Sequence, residues 1–167
     1  MRILVFDPSG NYFEGKGQTG WVILKDAQIE SFGQIRARDY TTRQEYWLAH
    51  SELIDNKNID QLVLEEFRLY RNKAHSQTNS EMETSKLIGF LEMHAFSKNL
   101  PYATQPASQA KTRFKDKILL HKGYITKDDN GRYYINGVNV SRHIIDALRH
   151  ALYFDIKQRR KQHGTTF

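Results

Sequence analysis

Apolar positions at the start of the chain follow the short-range pattern of β-strands. A continuous apolar run over residues 3–6 is followed by Asp7 and Gly10, which is typical of a buried strand that ends in a turn. Two more strands are predicted over 19–25 and 28–35, and the second alternates polar and apolar residues as a half-exposed antiparallel strand does. This part of the chain therefore predicts an antiparallel meander of three strands.

Helical periodicity dominates the remainder of the chain and is interrupted by short apolar runs. The predicted helices cover 41–54, 81–97, 106–120 and 141–156. Either Thr41 or Thr42 supplies the N-cap of the first of them. The interrupting runs predict two strands, over 62–64 and 101–105, and a hairpin over 124–135. Three strands followed by alternating helices and strands predict an α/β protein with a mixed sheet.

The composition favours a polyanionic partner. The 167-residue chain has 25 Lys and Arg against 19 Asp and Glu, a net charge of +6, which suits a nucleic acid or an anionic membrane surface. One domain is predicted over residues 1–157, followed by a basic flexible tail over 158–167. No apolar run reaches the ~18 residues that a bilayer requires. The chain has no cysteine, which excludes disulfides and Cys-ligated zinc. We expect a cytoplasmic protein with no membrane partner and no small-molecule cofactor.

Acidic residues stand directly after two of the predicted buried strands. Asp7 follows the run over 3–6, and Glu65 and Glu66 follow the run over 62–64. A carboxylate at the end of a buried strand is unfavourable unless a cation, a proton or hydrogen bonds stabilise it. Glu65 and Glu66 point to opposite faces of an extended chain, so at most one of them faces a given site. Taken singly, each acid also fits a turn or a solvated strand end.

The last predicted helix carries three polar, chemically active side chains on one stripe. At about 100° per residue, His143, Asp146 and His150 lie within about 60° of one another and opposite the apolar face. Positions three apart, such as His143 and Asp146, can ligate one ion. A solvated helix face is the alternative interpretation of this pattern.

Two basic segments match a nucleic-acid partner. The stretch 68–80 interleaves cations with Tyr70, and such segments contact phosphates through the cations and stack bases on the rings. The helix predicted over 106–120 carries four cations on its polar face, with Asp116 as the acid among them. The candidate DNA-binding residues are Arg68, Tyr70, Arg71, Lys73, Lys111, Lys115 and Lys117.

Several short motifs stand in a characteristic order along nearly the whole chain. They are FDPSG (6–10), TGWVI (19–23), VLEEF (63–67), ETSKLIG (83–89), PASQAK (106–111) and HIIDAL (143–148). On these motifs, above all the last, the chain resembles the ribonuclease H-like superfamily, and most closely the RuvC-type Holliday junction resolvases in their phage-borne form. The 10–17 loop, the hairpin and a shorter spacing within the lysine helix depart from the pattern of that family.

The resemblance implies both a fold and an activity. The fold would be a ribonuclease H-like mixed five-stranded sheet, with three antiparallel strands and then parallel strands, flanked by helices. The activity would be that of a homodimeric, metal-dependent endonuclease that nicks DNA symmetrically at four-way junctions, in the host cytoplasm if it is phage-encoded. The residues that match the catalytic and metal-binding positions of the family are Asp7, Glu65, His143 and Asp146.

Other parts of the chain take roles from the same resemblance. Lys111, with either Lys115 or Lys117, would meet the DNA backbone, and the loop after Glu65, with Phe67 and Tyr70, would enter the centre of the junction. The helix that carries residues 87–91 would contribute to the dimer interface.

The chemistry of phosphodiester hydrolysis agrees with these residue types. The reaction needs an activated water and neutralised charge on the scissile phosphate, and two Mg²⁺ (or Mn²⁺) ions about 4 Å apart supply both. Mg²⁺ prefers oxygen ligands, so a carboxylate cluster suits it. We hypothesise that Asp7 bridges both ions and that Glu65 and Asp146 each complete one ion site. His143 would ligate an ion or orient the attacking water.

Two other functions remain open from the sequence. One is a ribonuclease H-like nuclease that acts on other branched DNA or on RNA–DNA hybrid, or a transposase-like enzyme with the same metal chemistry. The other is a non-catalytic basic DNA-binding module in which the acids are structural.

Overall fold

The structure is a computed structural model that describes residues 1–13, 15–67, 80–162 and 164, without the side chains of 80, 81 and 162. The strands are β1 (Arg2–Asp7), β2 (Gln18–Lys25), β3 (Gln28–Arg36), β4 (Gln61–Glu66), β5 (Tyr102–Pro106), β6 (Thr126–Lys127), β7 (Tyr133–Ile135) and β8 (Val138–Val140). The α-helices are α1 (Arg43–Asn56), α2 (Ser80–Ser97), α3 (Ala107–Arg113), α4 (Asp116–His121) and α5 (Arg142–Gln162), with a 3₁₀ turn over Ala37–Asp39.

The main sheet has the strand order β3-β2-β1-β4-β5 among the described residues. β1 is central, pairing antiparallel with β2 and parallel with β4, and β4 pairs in parallel with β5. The predicted mixed five-stranded sheet, with three antiparallel strands followed by parallel ones, is confirmed. In the register of β1 with β4, Phe6 stands opposite Leu64, so the next residues, Asp7 and Glu65, emerge at the same edge of the sheet.

Alternating side chains of β1 supply two separate apolar cores. Ile3 and Val5 point to the side covered by α5, whereas Leu4 and Phe6 point to the side covered by α1 and α2. α1 begins with a capping box in which Thr42 and Glu45 bind each other's backbone N–H groups, so Thr42 is the N-cap. Both faces of the central strands are therefore buried, as parallel strands require.

The prediction of one continuous helix with a basic face over 106–120 is wrong, because the segment forms two helices, α3 and α4. The backbone N–H of Phe114 still bonds to Ala110 at 2.9 Å, but its carbonyl accepts a hydrogen bond from Nε of Arg149 at 3.0 Å. Lys115 is then extended, and α4 begins at Asp116. A tertiary contact to a buried arginine thus replaces continuation of the helix.

The end of the chain also differs from the sequence prediction. The hairpin expected over 124–135 is extended by β8, giving a small three-stranded sheet in the order β6-β7-β8. α5 continues to Gln162, so the basic segment that the sequence predicted as a flexible tail over 158–167 is helical in its first part. None of the described helices has the length and apolar character needed to cross a membrane.

Candidate active site

The ends of β1 and β4 place Asp7 and Glu65 side by side at the rim of a cleft of about 150 Å³. Glu66, Thr84 and Ser108 also line this cleft. Glu65 is the more enclosed of the two neighbouring glutamates in its contacts, because it meets side chains from α3 and α5. The cleft is open toward solvent beside two carboxylates, which is the setting that a charged substrate needs.

The turn that follows Asp7 is fixed by a buried polar network. The imidazole of His50 lies with Nε2 2.8 Å from Oγ1 of Thr19, which accepts a hydrogen bond from the backbone N–H of Ser9 at 3.1 Å. The hydroxyl of Tyr46 donates to the carbonyl of Ser9 at 2.5 Å. Burial lowers the pKa of His50 to about 4, so this ring is neutral at pH 7. The network ties α1 and β2 to the turn that holds Asp7.

α5 begins beside β2 and brings His143 onto Asp7. Nδ1 of His143 lies 2.7 Å from Oδ2 of Asp7, at hydrogen-bond distance. Gly20, which pairs with Asp7 across β1 and β2, permits this approach: a Cβ there would lie 2.2 Å from the backbone carbonyl carbon of His143. The close contact between α5 and the sheet therefore depends on a residue without a side chain.

Asp146 joins the cluster one turn further along α5. Nζ of Lys111, on α3, lies 3.1 Å from Oδ2 of Asp146 and 3.4 Å from Oε1 of Glu65. Its ammonium group thus sits between two carboxylates that come from distant parts of the chain. Of the residues predicted to bind DNA, Lys111 lies inside the acidic cluster, and Lys115 and Lys117 are exposed. The other predicted DNA-binding residues, Arg68, Tyr70, Arg71 and Lys73, lie outside the described residues.

Two buried residues of α5, Arg149 and His150, contact the carboxylates of the cluster, although neither was predicted as a site residue. His150 is fully buried, with Nε2 3.0 Å from Oε2 of Glu65 and Nδ1 3.1 Å from Oε1 of Gln105. The atoms Nε2 of His150 and Oε2 of Glu65 are close enough for an ion pair, but they are not aligned for a hydrogen bond. Arg149, also buried, donates through Nη1 to Oδ1 of Asp146. The spacing of three between Asp146 and Arg149 was a usable sequence signal, because such pairs meet on a helix.

The local electrostatics separate the two strand-end carboxyls. Burial, with added repulsion from the charge of Glu65, raises the pKa of Asp7 to about 6, although the hydrogen bond with His143 opposes the rise. Burial also acts to raise the pKa of Glu65, but the nearby His150 and the charge of Lys111 outweigh it and lower that pKa to about 2. The hydrogen bond to Asp7 raises the pKa of His143. The two strand-end carboxyls therefore differ widely in pKa because their charged neighbours differ.

The carboxylate oxygens of the cluster are the type of ligand that a hard divalent cation prefers. Within the described ranges, no group of three or more His, Asp and Glu side chains has an arrangement that could hold a metal ion directly. The ammonium of Lys111 lies where oxygens of Glu65 and Asp146 converge, so a cation already neutralises that point. Carboxylate oxygens aimed at one positive charge are the ligand type that Mg²⁺ and Mn²⁺ prefer. In donor chemistry, though not in their present spacing, the carboxylates of Glu65 and Asp146 therefore fit a divalent cation.

Comparison with known proteins identifies the fold. No family model matches the chain, and no curated protein matches it in sequence. Among solved structures, Thermus thermophilus RuvC in complex with a Holliday junction substrate matches with a TM-score of 0.69 and 15% identity over 96% of both chains. A second structure of Thermus thermophilus RuvC matches with a TM-score of 0.64 and 16% identity, over 96% of this chain and 97% of that chain. The ribonuclease H-like fold predicted from the motifs is confirmed.

Proposed function

We propose that this chain is a divalent-metal-dependent endonuclease that nicks four-way DNA junctions. The observation that carries the proposal is the gathering of Asp7, Glu65 and Asp146 into one acidic cluster, from the first strand, the fourth strand and the last helix. The similarity in fold to a RuvC bound to a Holliday junction substrate supports the substrate class. A net charge of +6 agrees with a nucleic-acid partner.

In this proposal each side chain of the cluster has a defined task. Asp7, Glu65 and Asp146 would hold Mg²⁺ or Mn²⁺, with two ions per active site. Bound divalent cations activate water and neutralise charge on the scissile phosphate. His143, whose Nδ1 is engaged by Asp7, orients the attacking water with the remainder of its half-exposed ring.

The basic residues around the cleft bind the DNA backbone in the same proposal. Lys111 is the more exposed of the two cations that contact Asp146, and it moves from the carboxylates to a backbone phosphate when DNA binds. Lys115 and Lys117 contact phosphates further from the cleavage point. The basic residues over 68–73, which lie outside the described residues, remain DNA-binding candidates on the sequence alone. Residues 1–157 act as one nuclease domain in this account.

The test compares substrates and metals directly. A labelled synthetic four-way junction is incubated with the protein beside linear duplex, single-stranded, forked and RNA–DNA hybrid substrates, with Mg²⁺, with Mn²⁺ and with neither. Paired nicks on the junction that require metal support the proposal. Equal cutting of forks or hybrids would assign the nuclease a broader substrate class. Tight binding of DNA without cleavage in either Mg²⁺ or Mn²⁺ would contradict the nuclease proposal and indicate a non-catalytic DNA-binding module.

Symmetric nicking requires two active sites, and the outer face of α2 provides a surface for a second copy. At about 100° per residue, Met82, Gly89, Met93 and Phe96 share one face of this helix. Met93 and Phe96 are 66% and 69% exposed, and no atom lies within 4 Å of a Cβ placed on Gly89. Leu87 and Leu91 of the same helix are instead buried in the core of the chain. An apolar helix face around a glycine suits close packing of two helices.

We expect the double variant Met93→Lys and Phe96→Lys to be monomeric, because two charges would be buried at the helix contact. Sedimentation velocity of the wild type and the variant measures this change. Val138→Lys is the control, because Val138 is 55% exposed on the small sheet and lies away from α2. A wild-type chain that sediments as a monomer at micromolar concentration, or a variant that remains dimeric, would contradict the proposed interface.

A further inference from the structure

Arg149 uses its guanidinium group to join three parts of the chain. Nε donates to the carbonyl of Phe114 at 3.0 Å, Nη1 donates to Oδ1 of Asp146, and Nη2 donates to Oδ1 of Asp116. The side chain is only 6% exposed. A planar group with fixed donor directions, bonded through all three of its nitrogens, has one orientation available to it. Its position is therefore determined by Asp116 and by the break between α3 and α4.

Asp116 is in turn held by the small sheet and by the start of α5. The hydroxyl of Tyr133, on β7, donates to Oδ2 of Asp116 at 2.8 Å. Arg142 donates to the same carboxylate from the solvent side, at 2.9 Å and 3.1 Å from its two oxygens. These contacts, together with the charge of Arg149, keep the pKa of Asp116 below its ordinary value, although its partial burial acts in the opposite direction. Asp116 is thus an ionised link between the small sheet and Arg149.

The other end of this link is one oxygen of Asp146. Oδ1 of Asp146 is occupied by Arg149, and Oδ2 faces Lys111 at 3.1 Å. Rotation of the carboxylate would break the contact with a buried arginine, which is costly. Asp146 consequently presents one defined oxygen to the acidic cluster, on the side of Lys111.

We propose that Tyr133, Asp116 and Arg149 form a positioning chain that fixes the carboxylate of Asp146 for a divalent cation. The small sheet departs from the expected pattern of the family. In this account it stabilises the cation site through the hydrogen bond from Tyr133 to Asp116. The inference rests on the proposed function insofar as Asp146 is taken as a cation ligand. Groups that orient a metal ligand through its second oxygen typically change metal affinity by about 10–100-fold when they are replaced.

A simpler role for Arg149 would be to neutralise negative charge in the cluster. The two roles predict different results for substitutions that keep the charge. Arg149→Lys keeps the positive charge but loses the fork that reaches three acceptors, and Tyr133→Phe removes one hydroxyl without any change in charge. Neutralisation alone predicts that both variants bind a cation as the wild type does, whereas positioning predicts that both bind it more weakly.

The experiment is calorimetric titration of Mn²⁺ into the full chain without DNA. We expect the affinity for Mn²⁺ to fall by about tenfold or more in Arg149→Lys and by about threefold in Tyr133→Phe. The matched control is Tyr134→Phe, because the neighbouring hydroxyl bonds to Asp128 at 2.9 Å in the turn and not to Asp116. Its affinity should equal that of the wild type. Thermal unfolding checks that each variant is folded.

The outcomes separate this inference from the function on which it rests. Wild-type binding of Mn²⁺ with unchanged affinity in Tyr133→Phe overturns the positioning chain and leaves the nuclease proposal in place. A loss in Tyr133→Phe equal to that in Tyr134→Phe also overturns it. A wild-type chain that binds no Mn²⁺ overturns the cation site itself. If Arg149→Lys does not fold, Tyr133→Phe decides the question alone.

Discussion

Asp7→Asn is expected to lower the rate of metal-dependent junction cleavage by at least about a thousandfold. The substitution keeps the shape of the side chain but removes the charge of the carboxylate proposed to be shared by both ion sites. The loss of several kcal/mol of charge stabilisation in the transition state corresponds to this factor, since about 1.4 kcal/mol is tenfold in rate. Single-turnover cleavage of a labelled junction at saturating Mg²⁺ measures it.

The same variant should be at least as stable as the wild type, which distinguishes lost chemistry from lost folding. The pKa of Asp7 is raised by burial to about 6, so the folded state prefers the protonated form. The contribution of that carboxyl to stability is complete below its unfolded pKa near 3.8 and is lost as the pH rises through about 6. Asparagine does not titrate. Above pH 6 the metal-free Asp7→Asn variant should therefore have a higher free energy of unfolding than the metal-free wild type, as measured by urea denaturation.

A matched control for Asp7→Asn is Asp55→Asn. Asp55 pairs with His94 and Lys98 on the surface, and its side chain is 40% exposed. We expect this control to cleave at the wild-type rate. Retention of more than a tenth of the wild-type rate in Asp7→Asn would contradict the proposed role of Asp7.

Gly20→Ala is expected to reduce cleavage by about a hundredfold and to destabilise the fold by about 3 kcal/mol. The new Cβ would lie 2.2 Å from the backbone carbonyl carbon of His143, so β2 and the start of α5 must separate. Overpacking against backbone costs about 1–3 kcal/mol, and a displacement of about 1 Å in a catalytic group lowers a rate by about a hundredfold. His143 and Asp146 would both move away from Asp7.

Two measurements together identify the cause of the effect of Gly20→Ala. Urea denaturation gives the change in stability, and NMR titration of the His143 ring reports its contact with Asp7. That contact raises the pKa of His143, so the pKa should return toward its ordinary value in the variant. Glu52→Ala is the stability control, because Glu52 is exposed on α1 and substitutions at such surface positions change stability by at most about 0.5 kcal/mol. An unchanged titration of His143 would refute the displacement.

The sequence predicted the framework of the site because its signals are local. Asp7 and Glu65 each follow a buried apolar run, and parallel pairing of those runs brings strand ends together without further information. Asp146 is recognisable from its place on the polar side of an amphipathic helix. The mixed sheet, the strand-end positions of Asp7 and Glu65 and the helical position of Asp146 were therefore accessible before the structure, whereas the order of the strands across the sheet was not.

The distant partners of Arg149 and His150 could not be assigned in the same way. Both Arg149 and His150 are polar residues that face inward, and their partners Asp116, Gln105 and Glu65 lie between 33 and 85 residues away in sequence. Periodicity within one helix does not reveal contacts at such separations. The break at Phe114 escaped prediction for the same reason, because the group that satisfies its carbonyl comes from α5. β8 is only three residues long, too short for its alternation to be recognised.

The contact between His143 and Asp7 joins residues that are 136 positions apart. Closing so long a loop is entropically unfavourable, and contacts of high sequence separation tend to form late in folding. The meander that carries Asp7 uses near neighbours and can form early, whereas the acidic cluster is completed only when α5 docks on the sheet. We expect cleavage competence to return after the sheet signal in circular dichroism during refolding. A chain whose last helix has not yet docked would then display its acidic strand ends without being able to cut DNA.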